Sequence, residues 1–296
     1  MDIIYQVVHK MKKRTFFLII TLLFGGGTMF LTKNLTLYQT PEVLFRHPQG
    51  QPFEKEKDKN ITRWQCYRNP LAEPVAKREF RLLSWNIHKG ADNGWRRDLL
   101  NLVQDKQFVF LQEATTLQHI PQTLPRFKTM LHTLAFQFRH QQSGVLNLSD
   151  LSAERYCINA QPEPWLRLPK VMAAMQFAVE NRSLLIVNVH LVNFEWKTTA
   201  YQYQLETLKQ LVAQHHGAVV LTGDFNAWSK NRNAQLQALI RSLGLTAVHF
   251  SPDERIKAFG YPLDNIFIRG VTVHSAQSTA LRSSDHNPVE LHFSLE

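Results

Sequence analysis

The chain predicts an α/β (α+β) fold with two packed, mostly antiparallel sheets flanked by helices. Short apolar runs of strand length follow one another from about residue 80 to the C terminus, with only a few helical periodicities between them. An apolar fraction of 44% and an aromatic fraction of 11% fit a globular core and exclude a disordered chain or a multi-span membrane protein. At 296 residues the chain is long enough to bury a substantial core in one large domain or two small ones.

The N-terminal stretch has a different texture. Residues 15–31 carry no charge, follow Lys10, Lys12, Lys13 and Arg14, and precede Lys33. That length is the lower limit for a membrane-spanning helix, and a basic flank before an apolar run is also the layout of a secretory signal. Gly25-Gly26-Gly27 suits a soluble core helix poorly and offers no Ala-x-Ala cleavage pattern. Residues 1–34 are therefore expected to be a signal-anchor or signal-like segment. Their positive N-terminal flank places the remainder outside the cytoplasm. Met11 opens a second signal-like start. Residues 35–77, rich in Pro, Gln, Lys and Glu, read as a linker that becomes ordered near Trp64, and residues 78–296 read as the compact domain.

The formal charge is +10, but it is unevenly placed. Residues 1–77 hold 12 of the 34 Lys and Arg against 6 of the 24 Asp and Glu, leaving the domain an excess of only four positive charges. Anionic lipid is the simpler partner for the N-terminal excess, and a mildly basic body suits a phosphate-bearing substrate. Cys66 and Cys157 lack metal-site spacing; they can pair if the body is exported and stay free if it is cytosolic.

Within the domain, residues 80–87, 108–112, 144–148, 171–179, 184–191, 218–221, 265–268, 271–273 and 289–293 are expected strands. Residues 95–104, 198–215 and 231–243 are expected helices. The second helix sets Tyr201, Leu205, Leu208 and Val212 on one stripe, the pattern of a core-facing helix. After the apolar run Ala218-Val219-Val220-Leu221 comes Thr222-Gly223-Asp224-Phe225-Asn226. Side chains alternate along an extended segment, so Asp224 and Asn226 are expected on one side, with Gly223 allowing close approach of another group. An ordinary Asx-type turn is the alternative. The pattern recurs: expected strands end at Asn86, Glu113, His190, Asp224 with Asn226, Asp264, and Asp285 with His286. One such end is ordinary turn chemistry; six converging ends describe an active site.

These ends, Ser84-Trp85-Asn86-Ile87, Leu111-Gln112-Glu113, Asn188-Val189-His190, Gly223-Asp224-Phe225-Asn226, Leu263-Asp264-Asn265-Ile266-Phe267 and Ser284-Asp285-His286-Asn287-Pro288, resemble in order the endonuclease/exonuclease/phosphatase superfamily. That group includes DNase I-like nucleases, inositol polyphosphate phosphatases and neutral sphingomyelinases. Leu166-Arg167-Leu168-Pro169-Lys170, Val192-Asn193-Phe194, Ala227-Trp228-Ser229 and Ala258-Phe259-Gly260 are similar to its bacterial UPF0294 (YafD-like) subgroup. The resemblance implies a DNase I-like four-layer α/β sandwich with its active site at one end of the sheets.

Phosphodiester hydrolysis needs a neutralised phosphate, an activated water and a stabilised leaving oxygen. Carboxylate and amide oxygens suit a hard divalent cation, Mg²⁺ or Mn²⁺, with Glu113 as direct ligand, Asn86 beside it and Asp285 in support. The resemblance implies that Asp224 and Asn226 orient the attacking water and hold phosphate or a second metal, and that Asp264 orients His286, the expected general base. His190 is expected to hydrogen-bond a phosphate oxygen. Asn193, Arg167, Lys170, Trp228 and Arg282 are subgroup features, read as substrate contacts or as packing and surface residues; Trp165 and Phe259 are expected in the core. Tyr156 is the one candidate for the catalytic-site tyrosine of the abasic-site nucleases, in a context that matches poorly.

The expected activity is nuclease-like, metal-dependent phosphodiester hydrolysis. A phospholipid- or sphingomyelin-type phosphodiesterase or a phosphatase of the same fold is the alternative, and a non-catalytic membrane-tethered binding module is the competing class. Expected partners are a nucleic-acid or phospholipid-headgroup phosphodiester and, through the N-terminal segment, a membrane, with no obligate protein partner. The expected location is the bacterial inner membrane with the domain outside the cytoplasm, or export, with a cytoplasmic body as the alternative.

Overall fold

The structure, a computed structural model, describes residues 33–47, 54–56 and 61–296. The apolar run 15–31 lies outside the described residues. Among those described, no helix is long and apolar enough to cross a membrane.

The first half of the chain forms β1 (Leu35–Arg46), β2 (Glu54–Glu56), β3 (Gln65–Arg68), β4 (Glu79–Asn86), α1 (Trp95–Leu102), β5 (Phe108–Thr115), α2 (Ile120–Thr123), β6 (Thr129–Phe138) and β7 (Gln141–Ser149). The second half forms β8 (Arg155–Pro162), β9 (Pro169–Val179), β10 (Arg182–His190), α3 (Thr199–Ala213), β11 (Ala218–Asp224), α4 (Lys230–Ser242) and β12 (Thr246–Ala247). It closes with β13 (Lys257–Ala258), β14 (Tyr261–Pro262), β15 (Asp264–Arg269), β16 (Val271–Ser278) and β17 (Val289–Leu295).

Two large sheets result, ordered β1-β6-β7-β5-β4-β17-β16 and β12-β15-β11-β10-β9-β8-β3-β2. Each is antiparallel except for one parallel pair, β4 with β5 and β10 with β11. A parallel pair needs a crossover, and α1 and α3 supply the two. Both crossovers bring strands to the same end of the sandwich, so Asn86, Glu113, His190 and Asp224 emerge together.

Burial explains the continuous apolar runs. Leu82, Phe110, Ile186 and Val220 point between the sheets, into a core they share with Phe80, Phe108, Phe177 and Phe293. Their neighbours Leu83, Val109 and Leu111 pack outward with Leu99 of α1, while Leu185, Val187 and Leu221 pack outward with Tyr201, Leu208 and Leu236 of α3 and α4. Strands covered on both faces lose the polar alternation of a one-sided sheet. The helix–sheet–sheet–helix order is the four-layer sandwich.

The linker expected over residues 35–77 is corrected where it is described. β1 pairs with β6 across a register shift between Leu37 and Glu42 that contains Pro41, and Val43 and Phe45 pack on the inter-sheet core. β3 pairs with β8, and Cys66 is opposite Cys157, with which it forms a disulfide. Polar composition hid these segments: β1, an edge strand, has no fully buried side chain, and β3 fully buries only Cys66. Tyr156 is buried in the inter-sheet core beside Phe45, away from the strand ends that carry the site.

Candidate active site

The two parallel pairs are locked together just beneath the site by buried polar side chains. Gln112 Nε2 donates to Ser84 Oγ at 3.1 Å and, across the sheets, to Asn188 Oδ1 at 2.6 Å; Asn188 Nδ2 donates to Asn147 Oδ1 at 2.8 Å. A buried, hydrogen-bonded network of this kind tolerates little sliding of one sheet over the other.

Above it, Asp224 is the hub. Its Oδ2 accepts from Asn86 Nδ2 and from Asn226 Nδ2, both at 3.2 Å, and lies 3.5 Å from His190 Nε2 and 3.9 Å from His286 Nε2. Its Oδ1 accepts the Asn226 backbone N–H at 3.0 Å. Asp224 and Asn226 thus do face one another, for a different reason than strand alternation. β11 ends at Asp224, Asn226 sits at φ 47°, and an Asx turn folds the carboxamide back, so the turn alternative holds and strand alternation is corrected.

His286 Nδ1 donates to Asp264 Oδ2 at 2.6 Å. The loop carrying it is fixed on β4: Ser284 Oγ donates to the Asn86 carbonyl at 2.7 Å, and Trp85 Nε1 donates to the His286 carbonyl at 2.9 Å. Burial pushes the imidazole pKa down, but the carboxylates of Asp264 and Asp224 outweigh it and hold it at about 10. Burial, against the pull of His286, raises the Asp224 carboxyl above the usual range.

Glu113, at φ 55°, faces a second cluster. It pairs with Lys89, and its Oε1 lies 3.8 Å from His190 Nε2 and 3.9 Å from Lys170 Nζ. Burial alone raises the Glu113 carboxyl, yet His190, Lys170 and Lys89 outweigh it and hold the pKa at about 2. Burial and Lys170 push His190 well below its ordinary pKa, against the pull of Glu113. Lys170 Nζ donates to His190 Nε2 at 2.7 Å, so in the free protein that nitrogen accepts, and Lys170 is the donor beside the phosphate position expected of His190.

Two oxygen-rich sets can hold a cation. Asp224, Asp264 and His286 offer donor atoms within 4.8 Å of one another, but His286 Nδ1 is already committed to Asp264. Glu113, Asn86 and Asp285 are placed around the end of β4: Asn86 and Gln112 are in register, Glu113 follows, and Asp285 follows the serine bonded to the Asn86 carbonyl, while Asn86 Oδ1 accepts the His88 backbone N–H at 3.1 Å. Their all-oxygen chemistry fits a hard divalent ion. Asp285 is exposed, its Oδ2 3.9 Å from His88 Nε2.

The remaining expected residues divide. Lys170 is in the site. Asn193 and Trp228 bond one another, Nε1 to Oδ1 at 2.9 Å, on its margin. Arg167 and Arg282 stand exposed on loops. Trp165 and Phe259, expected in the core, are corrected: they are 52% and 85% exposed, carried outward by loops at the site's mouth. Lys89 and Arg232 went unassigned. Lys89 directly follows the Asn86-Ile87-His88 strand end, which was the available signal. Arg232 is wholly buried and donates to the carbonyls of Val192, Asn226 and Asn193 at 2.5, 3.1 and 2.9 Å, a role that its place in a polar helix does not announce.

Residues 83–286 match the Endonuclease/Exonuclease/phosphatase family. A UPF0294 protein of Vibrio cholerae is 34% identical over 298 residues, covering 96% of this chain and 99% of the relative. An endonuclease/exonuclease/phosphatase from Beutenbergia cavernae superposes with a TM-score of 0.58 at 15% identity, over 74% of this chain and 72% of that one. D. rerio TDP2, in complex with single-strand DNA product, superposes with a TM-score of 0.52 at 15% identity, over 73% of this chain and 99% of the other.

Proposed function

Because the chain belongs to the endonuclease/exonuclease/phosphatase family, we propose that it is a divalent-metal-dependent phosphodiester hydrolase with nuclease-like chemistry. The observation that carries this reading is the Asp264–His286–Asp224 line, with His286 Nδ1 held at 2.6 Å and Nε2 left facing Asp224 at 3.9 Å. A water placed between Nε2 and Asp224 Oδ2 has the Asp224 carboxylate to take its proton, while the imidazole, kept protonated at neutral pH by its raised pKa, donates from Nε2 and is fixed by Asp264. The task expected of His286 alone thus falls to the His286–Asp224 pair. Asn226 and Asn86 orient the Asp224 carboxylate through their amide N–H groups. Lys170 and Lys89 present positive charge where the phosphate oxygens build negative charge, beside His190. Oxygens of Glu113, Asn86 and Asp285 would hold Mg²⁺ or Mn²⁺, which would supply charge neutralisation of the phosphate and of the leaving oxygen.

The Cys66–Cys157 disulfide supports placing the domain outside the cytoplasm, since such bonds persist in oxidising compartments. The full chain assayed with Mn²⁺ or Mg²⁺ on bis-p-nitrophenyl phosphate, plasmid DNA, RNA and phosphatidylcholine tests the activity. Turnover of at least one ester is expected, abolished by EDTA and lowered about 10²–10⁴-fold by His286→Ala. Absence of turnover on every ester sinks the hydrolase reading in favour of a binding module, and a fully active His286→Ala protein removes that residue from the mechanism.

A further inference from the structure

Large apolar side chains crowd the mouth of this site. Phe259 is 85% and Trp196 79% exposed, and Trp165, Leu166 and Phe194 are about half exposed. They line two adjoining clefts that share Phe194. One, of about 340 Å³, reaches Asn226 between Trp165, Trp196, Trp228 and Phe259; the other, of about 190 Å³, reaches Glu113, Lys170 and His190. Folding does not account for the display. Phe259 and Gly260 form the two-residue loop of the β13–β14 hairpin with φ of 50° and 85°, the signature of a type I′ turn, where a phenylalanine is strained and here buries almost nothing.

The point where the chain enters the domain bears on what lies opposite. The described chain enters the domain at the same end. Leu35 pairs with Phe138 at the β6–β7 hairpin, whose other arm sets Gly144 and Ser143 against Ala114 and Thr115, next to Glu113. The uncharged run 15–31 stops four residues before Leu35, a reach of at most about 14 Å. Leu37 and Phe138, both exposed, lie at this end as well. Taken as the membrane anchor that its composition predicts, a run ending so near Leu35 in sequence turns the site toward the bilayer. Arg167, Lys197 and Lys257 stand exposed among the apolar side chains, and this mixture of Trp, Phe and Leu with basic residues is that of an anionic lipid interface.

We propose that the aromatic rim of the site seats on a lipid surface and that the phosphodiester admitted is a phospholipid headgroup ester. The substrate assignment rests on the hydrolase reading above; the docking does not. Stacked bases are the weaker occupant. Trp165 tilts 59° against Trp196 and Trp228 51° against Phe259, so neither pair forms a parallel slot for a base.

The full chain reconstituted in phosphatidylcholine/phosphatidylglycerol vesicles with brominated acyl chains tests both parts. All six tryptophans lie between Trp64 and Trp228, so the N-terminal run contributes none, and three of the six line the cleft, Trp165 and Trp196 being the two exposed ones. Bromination is expected to quench about one third of the emission, and Trp165→Phe with Trp196→Phe to remove most of that quenching, leaving the share of the half-buried Trp228. In the same vesicles with Mn²⁺, Trp196→Ser with Phe259→Ser is expected to lower headgroup release, relative to bis-p-nitrophenyl phosphate turnover, by about tenfold or more, with Phe259→Leu largely restoring it. Emission indifferent to bromination overturns the docking. A rim variant that impairs a single-stranded oligonucleotide while sparing lipid assigns the rim to nucleic acid and overturns the substrate. Quenching without turnover of any ester upholds the docking and fails the hydrolase reading alone.

Discussion

Gly223 shows how far the site depends on one absent side chain. Its φ of 129° is rarely adopted by L residues, and a Cβ there would meet the Val189 carbonyl oxygen at 2.2 Å. Val189 faces Gly223 in the β10–β11 ladder, one step before His190 faces Asp224. Gly223→Ala therefore has to part the two strands that position those side chains. The expected cost is about 3 kcal/mol of stability, with turnover reduced as well; urea denaturation of both proteins measures it. A variant within about 0.5 kcal/mol of the parent contradicts the close approach. The glycine's role was legible from its place between a buried run and two polar side chains. Arg232 was not, because its partners are carbonyls of the 192–195 and 226 segments, brought to it only by the fold. A solvated arginine and a buried staple look alike in a polar helix.

Strands covered on both faces were legible, and those that mix polarity with burial were not. Residues 184–191 and 218–221 announce themselves as apolar runs, and β10 and β11 contain them apart from Leu191, which follows β10. β6 escaped because Thr129, His132 and Thr133 interrupt its run although all three are buried. β8, with Arg155, Asn159 and Gln161, escaped for the same reason. The same logic reversed Trp165 and Phe259: large rings predict core unless the backbone that carries them is a loop at a rim. β3 makes the elements' unequal strength testable. This four-residue strand links the end of one sheet to β8 and is stapled there by a disulfide closing 91 residues of chain. Loop closure of that length predicts a loss of about 2–4 kcal/mol when Cys66→Ala and Cys157→Ala are combined. The expected readout is a lower urea midpoint, reproduced in the parent by reductant. Coincident midpoints for oxidised and reduced parent protein would show that the staple contributes nothing.

At the scale of the whole molecule, the buried polar side chains that join sheets and site make stability depend on pH. His132 is the clearest case. It lies fully enclosed in β6, with Nε2 3.3 Å from the Ala114 carbonyl beside Glu113. Burial pushes its pKa down to about 4, against the pull of that carbonyl, while the unfolded chain titrates near 6.5. Above pH 6.5 both states are neutral and the stability is complete. As the pH falls from 6.5 toward 4 the unfolded chain binds a proton that the folded protein refuses, and stability is lost, by about 3 kcal/mol over the full interval and about 2 by pH 5. His286 runs the other way: its raised pKa contributes most below 6.5 and is lost as the pH climbs toward 10. Comparing the parent with a variant that keeps His286 removes that contribution from the difference. His132→Gln retains a donor for the Ala114 carbonyl and cannot titrate. Urea denaturation at pH 7.5 and pH 5 is therefore expected to show the parent losing about 2 kcal/mol more than the variant. Parallel losses in the two proteins would mean that His132 takes up its proton without unfolding the sheet, and that the acid sensitivity of the fold resides in other groups.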